Sequence, residues 1–208
     1  ETDDEFRDRY YASVDFAGGV NADSIRAALL QEVEGIMEAK VFENDTDDTD
    51  EHGLPPHSIE AVVYGGLDED ISRVIYRRLG AGIQTFGQKV VQVITASGNT
   101  KDIHFNRPTP VKVYVKITNL VTNANFPRDG ADRLKAAITD YIGDDESGGV
   151  SIGETLYHQQ LPARLYTVPG VLDFDIYIGT SPDDLQQENI KVDSRSKVVT
   201  EEGAVSIE

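Results

Sequence analysis

Histidines and carboxylates are the residues in this chain able to hold a metal or move a proton, and they gather between Glu43 and His57. Six carboxylates fall from Glu43 to Glu51, with His52 and His57 just beyond. A calcium loop of the EF-hand type, counted from Asp45, needs glycine sixth and glutamate twelfth; Asp50 and Pro56 stand there. The 15 residues 43–57 therefore read as an irregular link with a mobile, charged tip. His104 falls in a hairpin strand and His158 on a helix, and no pair has H-E-x-x-H spacing. The chain has no cysteine, which excludes thiolate sites and disulfides. It has no G-x-S-x-G elbow and no G-x-x-x-x-G-K-[ST] loop. Gly80-Ala81-Gly82 closes a helix, where backbone carbonyls repel phosphate. Asp173 and Asp175 share a strand face, the ordinary pattern of a solvent-facing side. No catalytic, cofactor-binding or metal-ligating residue is assigned, and an enzyme is not expected.

The local basic feature is Arg73, Arg77 and Arg78, on a helix that opens with Asp68, Glu69 and Asp70. These arginines have two readings: pairing along their own helix, with Glu69–Arg73 as an i, i+4 pair, or docking an acidic patch on a neighbouring subunit. The three are the candidate interface residues. Around them the chain is acidic, with a net charge of −18. Residues 1–110 hold 21 acids and 10 bases, and residues 111–208 hold 16 and 9. Neither half suits nucleic acid or an anionic membrane. No apolar run reaches the ~20 residues of a membrane span. Glu1 is not preceded by an initiator methionine, so a piece of a longer protein is expected.

The elements that would position these groups follow from periodicity and punctuation. Thr2-Asp3-Asp4-Glu5 has the capping-box pattern before Phe6, Tyr10 and Val14, a leading helix that Gly18-Gly19 ends. Asn21 or Asp23 caps the next helix, with Ile25, Leu29 and Val33 as its stripe. Met37–Phe42 and Ser58–Tyr64 alternate as strands, and Ile71, Val74, Ile75 and Leu79 stripe the acid-started helix. Lys89–Thr95 and Lys101–Phe105 form a hairpin through Ser97-Gly98-Asn99. After Arg107-Pro108-Thr109-Pro110 come a strand at Val111–Leu120, a loop at Val121–Arg128 and a helix ended by Gly143. Ser151-Ile152-Gly153-Glu154 reads as a second capping box, before a helix that Pro162 kinks or splits. Val171–Ile178 is a strand, with short strand signals at Ile190–Val192, Lys197–Thr200 and Ala204–Ile207 beyond a polar link, Thr180–Glu188. Val33-Glu34-Gly35-Ile36 and Val168-Pro169-Gly170-Val171 echo each other as helix–glycine–strand joints. The expectation is an α+β chain: a leading helix over 1–20, then two small two-layer domains over 21–109 and 110–208. Each has an antiparallel or mixed sheet with helices on one face.

The motifs also carry a family resemblance. Glu1–Tyr10 is similar to an E-T-D-x-x-F-R-x-R-Y segment, and Val41–Asp47 to V-F-E-N-x-T-D. Gly53–Val63 matches G-L-P-P-H-S-x-E-x-V-V, Asp68–Arg77 a D-x-x-I-A-x-x-I-type helix, Gly82–Gly87 a G-I-x-T-x-G turn, and Phe105–Pro108 F-x-R-P. In this order and spacing, over about half the chain, the sequence resembles the baseplate J-like proteins of contractile-tailed phages and prophages. From Val111 onward the likeness rests on the order of elements around Val168–Val171. The resemblance implies a virion structural protein of the tail baseplate, a wedge or ring subunit assembled in the bacterial cytoplasm. Its partners would be other baseplate subunits and copies of itself, with no cofactor, nucleic acid, membrane or small-molecule substrate. It implies no catalytic residues. The chain departs from the family by lacking the portion that precedes the E-T-D segment. Similar proteins serve phage-derived contractile injection particles. An extracellular calcium-binding α+β module is the rival reading that the acidic loop raises.

Overall fold

The computed structural model describes residues 21–144 and 148–208, and the chain divides into two compact units, Glu1–Arg107 and Pro108–Glu208. The expected leading helix, with Phe6, Tyr10 and Val14, lies outside the described residues. Both units mix helices with small sheets, an α+β architecture.

In the first unit, α1 (Ala22–Glu32) is capped by Asn21, whose side chain accepts from Ser24 N–H at 2.9 Å. Its apolar side, Ile25, Ala28 and Leu29, is buried. Gly35, at φ +77°, turns the chain into β1 (Ile36–Asn44), which runs antiparallel to β2 (Ser58–Gly65). Helix α2 (Asp68–Arg78) buries Ile71, Val74 and Ile75, while Leu79 only packs against the core from outside the helix. It leads to β3 (Gln84–Phe86), a strand within what reads as a turn, parallel to β2 over Ser58–Glu60. The hairpin of β4 (Lys89–Ile94) and β5 (Thr100–Phe105) closes the unit. Asn106, following β5, bonds back to β2, accepting from Val63 N–H at 2.9 Å and donating to Ala61 O at 2.8 Å. Core residues from α1, α2, β1, β2 and β5 form one cluster, with Ile103 and Phe105 fully buried. Each large aliphatic side chain so buried stabilises the unit by roughly 1.5–3 kcal/mol over its exposed state.

The second unit begins earlier than the Val111 strand signal. Strand β6 (Thr109–Lys112) pairs in parallel with β10 (Ser196–Val199), and Thr109 N–H donates to Arg195 O at 3.0 Å. Val113, fully buried, interrupts the expected single strand: its N–H bonds Val199 O at 2.8 Å before β7 (Tyr114–Thr122) starts. Strands β8 (Val171–Ser181), β9 (Asp184–Gln186) and β11 (Val205–Ile207) complete a sheet in the order β11-β7-β8-β9. Helix α3 (Gly130–Ile142) buries Leu134, Ile138 and Ile142 and ends at Gly143.

Ser151–Glu154 does not start a helix. Ile152 is buried, and Gly153 adopts φ +69° with its N–H on Ser196 O at 2.7 Å. A Cβ at Gly153 would lie 2.8 Å from Ser194 Cα, so the chain is pressed against the 194–196 segment. A 3₁₀ turn, His158–Gln160, then runs into the five-residue α4 (Leu161–Leu165), where Pro162 sits in the first turn and breaks nothing. The Thr180–Glu188 link contains β9, and Ile190 makes a lone bridge with Leu156 in place of a strand. Leu172 points outward from β8; the inward alternation is kept by Ile176 and Ile178. Gly170 repeats the left-handed turn of Gly35, at φ +85°, at the second helix–glycine–strand joint.

Candidate functional site

The three arginines divide between two partners. Arg73 Nη1 lies 2.7 Å from Asp70 Oδ1, so its pair is i, i+3 and not the expected one with Glu69. Residues three and four apart are both neighbours on a helix surface, and Asp70 is the one taken. Arg77 and Arg78 leave their own helix and take the two oxygens of Glu32, at 3.0 and 2.6 Å, at the end of α1. Glu32 thus ties α1 to α2. All three guanidinium groups stay partly exposed, in pairs worth at most about 1 kcal/mol each.

Residues from the family-like motifs converge elsewhere in the same unit. Gly65 and Gly66, at φ +80° and +70°, carry the chain from β2 into α2. A Cβ on Gly65 would stand 2.2 Å from Gly35 O, so no side chain fits. The carbonyls exposed by this bend are gripped by Arg107. Its Nη1 donates to Val63 O at 3.1 Å and to Gly65 O, and its Nη2 to Gly66 O at 2.8 Å and Asp68 Oδ1 at 2.6 Å. The guanidinium also lies 5.5 Å from the Phe105 ring centroid. A planar fork is suited to several carbonyls at once. The groups form a brace in which the one carboxylate, Asp68, is spent on the guanidinium.

The acidic loop is organised, contrary to the expectation of a mobile tip. Asn44, buried at the end of β1, donates to Asp48 O and Leu54 O, each at 2.8 Å, and to Pro55 O at 3.1 Å. Its Oδ1 accepts from Thr46 N–H and Thr46 Oγ1. The amide occupies the centre toward which carbonyls in a calcium loop would point. Asp50 Oδ1 accepts from His52 N–H and Leu54 N–H, and Leu54 is buried beneath. His57 Nε2 lies 3.1 Å from Asp47 Oδ1, and His52 pairs loosely with Glu51 at 3.7 Å. Among the described residues no three His, Asp or Glu side chains converge as a metal site. His104 is spent on Gly87 O, and His158 on Ile176 O at 2.8 Å.

The surface that stands out is the free edge of the hairpin. Among the described residues, strand β4 is hydrogen-bonded on one side only, by β5. Its outward residues include Val90, 52% exposed, and Ile94, 75% exposed, while Lys89 is its single charge. Strand β1 is also bonded by one neighbour, but it carries Glu38, Lys40 and Glu43, and Arg26 Nε caps its Ala39 O at 3.0 Å. Charges and caps of that kind blunt a sheet edge; β4 lacks acids altogether. Sequence alternation gives both strands alike and each has one neighbour; the charges on β1 and its Arg26 cap separate them. No family model matches this chain, and no curated protein matches its sequence.

Proposed function

We propose that the chain is a non-catalytic subunit of a phage or prophage tail baseplate, acting through protein–protein assembly in the virion. The resemblance over Glu1–Pro108 supplies the specific setting. The observation that carries the assembly reading is the acid-free, half-paired β4 edge with Val90 and Ile94 turned outward. An extended segment of another subunit can add to such an edge through main-chain hydrogen bonds. Arg73, Arg77 and Arg78 offer a second surface: their pairs with Asp70 and Glu32 are exposed and exchangeable for carboxylates of a neighbour. The Gly65–Gly66–Arg107 brace fits the same reading, because it fixes β2 against α2 without presenting reactive groups.

The test is mass spectrometry of tail particles purified from cells expressing the chain from its native locus. Stoichiometric recovery in the particles is expected; its absence from particles while present in the lysate refutes the proposal. A Val90→Lys, Ile94→Lys double variant, checked for unchanged circular dichroism, is expected to lose incorporation. Undiminished incorporation would remove the β4 edge as the contact.

A further inference from the structure

Two open grooves of about 690 and 590 Å³ lie side by side on the second unit and share Tyr157 and Gln160. Their common wall is held from both sides. Leu156 and Ile190 exchange backbone hydrogen bonds at 2.9 and 3.0 Å, and His158 N–H donates to Asn189 Oδ1 at 2.9 Å. His158 Nε2 fastens the same turn to Ile176 O of β8. Leu156 and Leu161 are fully buried, so Tyr157 between them is driven outward on a fixed backbone, half exposed. An aromatic ring held out over a groove in this way has an apolar face available for stacking.

The groove chemistry around that ring is dominated by amides. Gln159, Gln160, Gln187 and Asn189 line the smaller groove beside Tyr157. The oxygens of Gln160 and Asn189 accept from Tyr141 Oη and His158 N–H, and each amide retains two N–H donors and a second lone pair. Charges are few, three acids (Asp140, Glu154 and Glu188) against two bases (Arg164 and Lys191). Arg164 lies 4.7 Å from the Tyr141 ring centroid, its positive charge turned onto an aromatic face. Burial, then Glu154, raise the Tyr141 hydroxyl above its usual range although Arg164 opposes them, so the tyrosine remains a neutral hydrogen-bonding group. Planar amides that both donate and accept match vicinal hydroxyls, and a ring face matches the apolar side of a pyranose. Strong anions gain little here, against an acidic chain.

We propose that the joined groove binds a neutral oligosaccharide, with the Tyr157 ring as its stacking platform and the amides of Gln160, Gln187 and Asn189 reading its hydroxyls. This goes beyond the assembly proposal and does not depend on it. The experiment uses the whole 208-residue chain. Saturation-transfer NMR and calorimetry are run against maltotetraose, cellotetraose, mannotetraose and the tetramer of N-acetylglucosamine, with a heparin tetrasaccharide as the anionic probe. One neutral probe is expected to bind. Tyr157→Ala, whose exposed site leaves the melting temperature unchanged, is expected to weaken that binding about tenfold or more, and Tyr157→Phe to hold it within about threefold. Gln187→Ala is expected to weaken it by about threefold to tenfold. The proposal is overturned if no neutral probe binds at about 10 mM. Full affinity in Tyr157→Ala overturns it as well. So does binding confined to heparin and abolished by about 0.5 M salt. Because particle incorporation is measured separately, failure here leaves the assembly proposal standing.

Discussion

Replacing Arg107 by methionine keeps the volume of the side-chain stem and deletes the fork that holds the start of α2. Four acceptors lose their donor: Val63 O, Gly65 O, Gly66 O and Asp68 Oδ1. Hydrogen bonds to a charged group are worth about 1.5–3 kcal/mol each when buried, and an exposed ion pair about 0–1 kcal/mol. The Arg107 and Asp68 side chains are 28% and 32% exposed, so water re-solvates part of what is lost. Allowing roughly 1 kcal/mol for each carbonyl and little for the pair gives a loss of about 3 kcal/mol. The readout is hydrogen exchange at Val63 and Gly66, whose amides bond Asn106 O and Gly35 O beside the brace, each at 2.9 Å. A loss of that size speeds their exchange by roughly a hundredfold where opening follows unfolding of this unit. Arg107→Lys separates charge from geometry: an ammonium on a flexible stem cannot span four acceptors, and it is expected to restore less than about half of the protection. The brace is refuted if Arg107→Met changes exchange by less than about threefold. It fails equally if Arg107→Lys behaves as the parent does, because the fork would then be incidental.

Asn44→Ala is expected to cost about 2–3 kcal/mol and, by loosening the loop, to strip exchange protection from the Leu54 amide, which donates to Asp50 Oδ1, since three loop carbonyls lose one donor; unaltered protection would refute the view that Asn44 organises the acidic loop. Gly65→Ala and Gly82→Ala both place a side chain at positive φ, but only at Gly65 does the new Cβ strike backbone, while at Gly82 it meets nothing within 4 Å. Gly82→Ala should therefore lose about 1–2 kcal/mol in denaturant titration and Gly65→Ala clearly more, and equal losses would contradict the geometry. Asp129, at the start of α3, is held below its ordinary pKa first by the hydrogen bond from Arg133, at 2.9 Å. A carboxylate with a depressed folded pKa adds stability above its unfolded value of 3.8, and that stability is lost as pH falls through the lower folded value. Asp129→Asn should thus flatten the acid limb of the stability curve below about pH 4, and an unchanged limb would exclude the contribution.

The parts that sequence discloses here are those set by neighbouring residues. The stripe Ile71, Val74 and Ile75 and the alternation across β1, β2, β4 and β5 repeat within a few positions, and each element carries its own evidence. Strands β3 and β9 hold three residues each, too few for a period, and exist because β2 and β8 lend them partners. The break at Val113 and the failed capping box at Ser151 have one cause: residues 196–199 pair with both regions from far along the chain. The same distance hid the site chemistry. Glu32 lies 46 residues from Arg78, and Arg107 lies 39 to 44 residues from the groups it grips. Tyr157 reads as one more residue of an amphipathic helix until the 3₁₀ turn and the Ile190 bridge turn it outward.

These distances bear on what the family-like motifs mean. Gly65, Gly66, Gly87 and Arg107 fall within or beside them; a side chain would strike backbone at Gly65 and Gly87 and the Ile36 side chain at Gly66, and losing Arg107 would leave carbonyls unpaired. At Gly87 a Cβ would lie 2.3 Å from Phe105 O, so the G-I-x-T-x-G turn and the F-x-R-P end of the hairpin are pressed together. Motifs of this kind restrict a sequence because a fold needs them, and they can recur without any shared reaction. Surfaces that meet partners or ligands face no such demand from the fold. Val90 and Ile94 on β4, and Tyr157 and Gln187 on the grooves, project from backbone that would stand without them. Substitutions at the first group should therefore be read out as stability, and at the second as assembly or binding with stability intact. A variant at Val90 or Tyr157 that unfolds its unit would break that division and return those side chains to the fold.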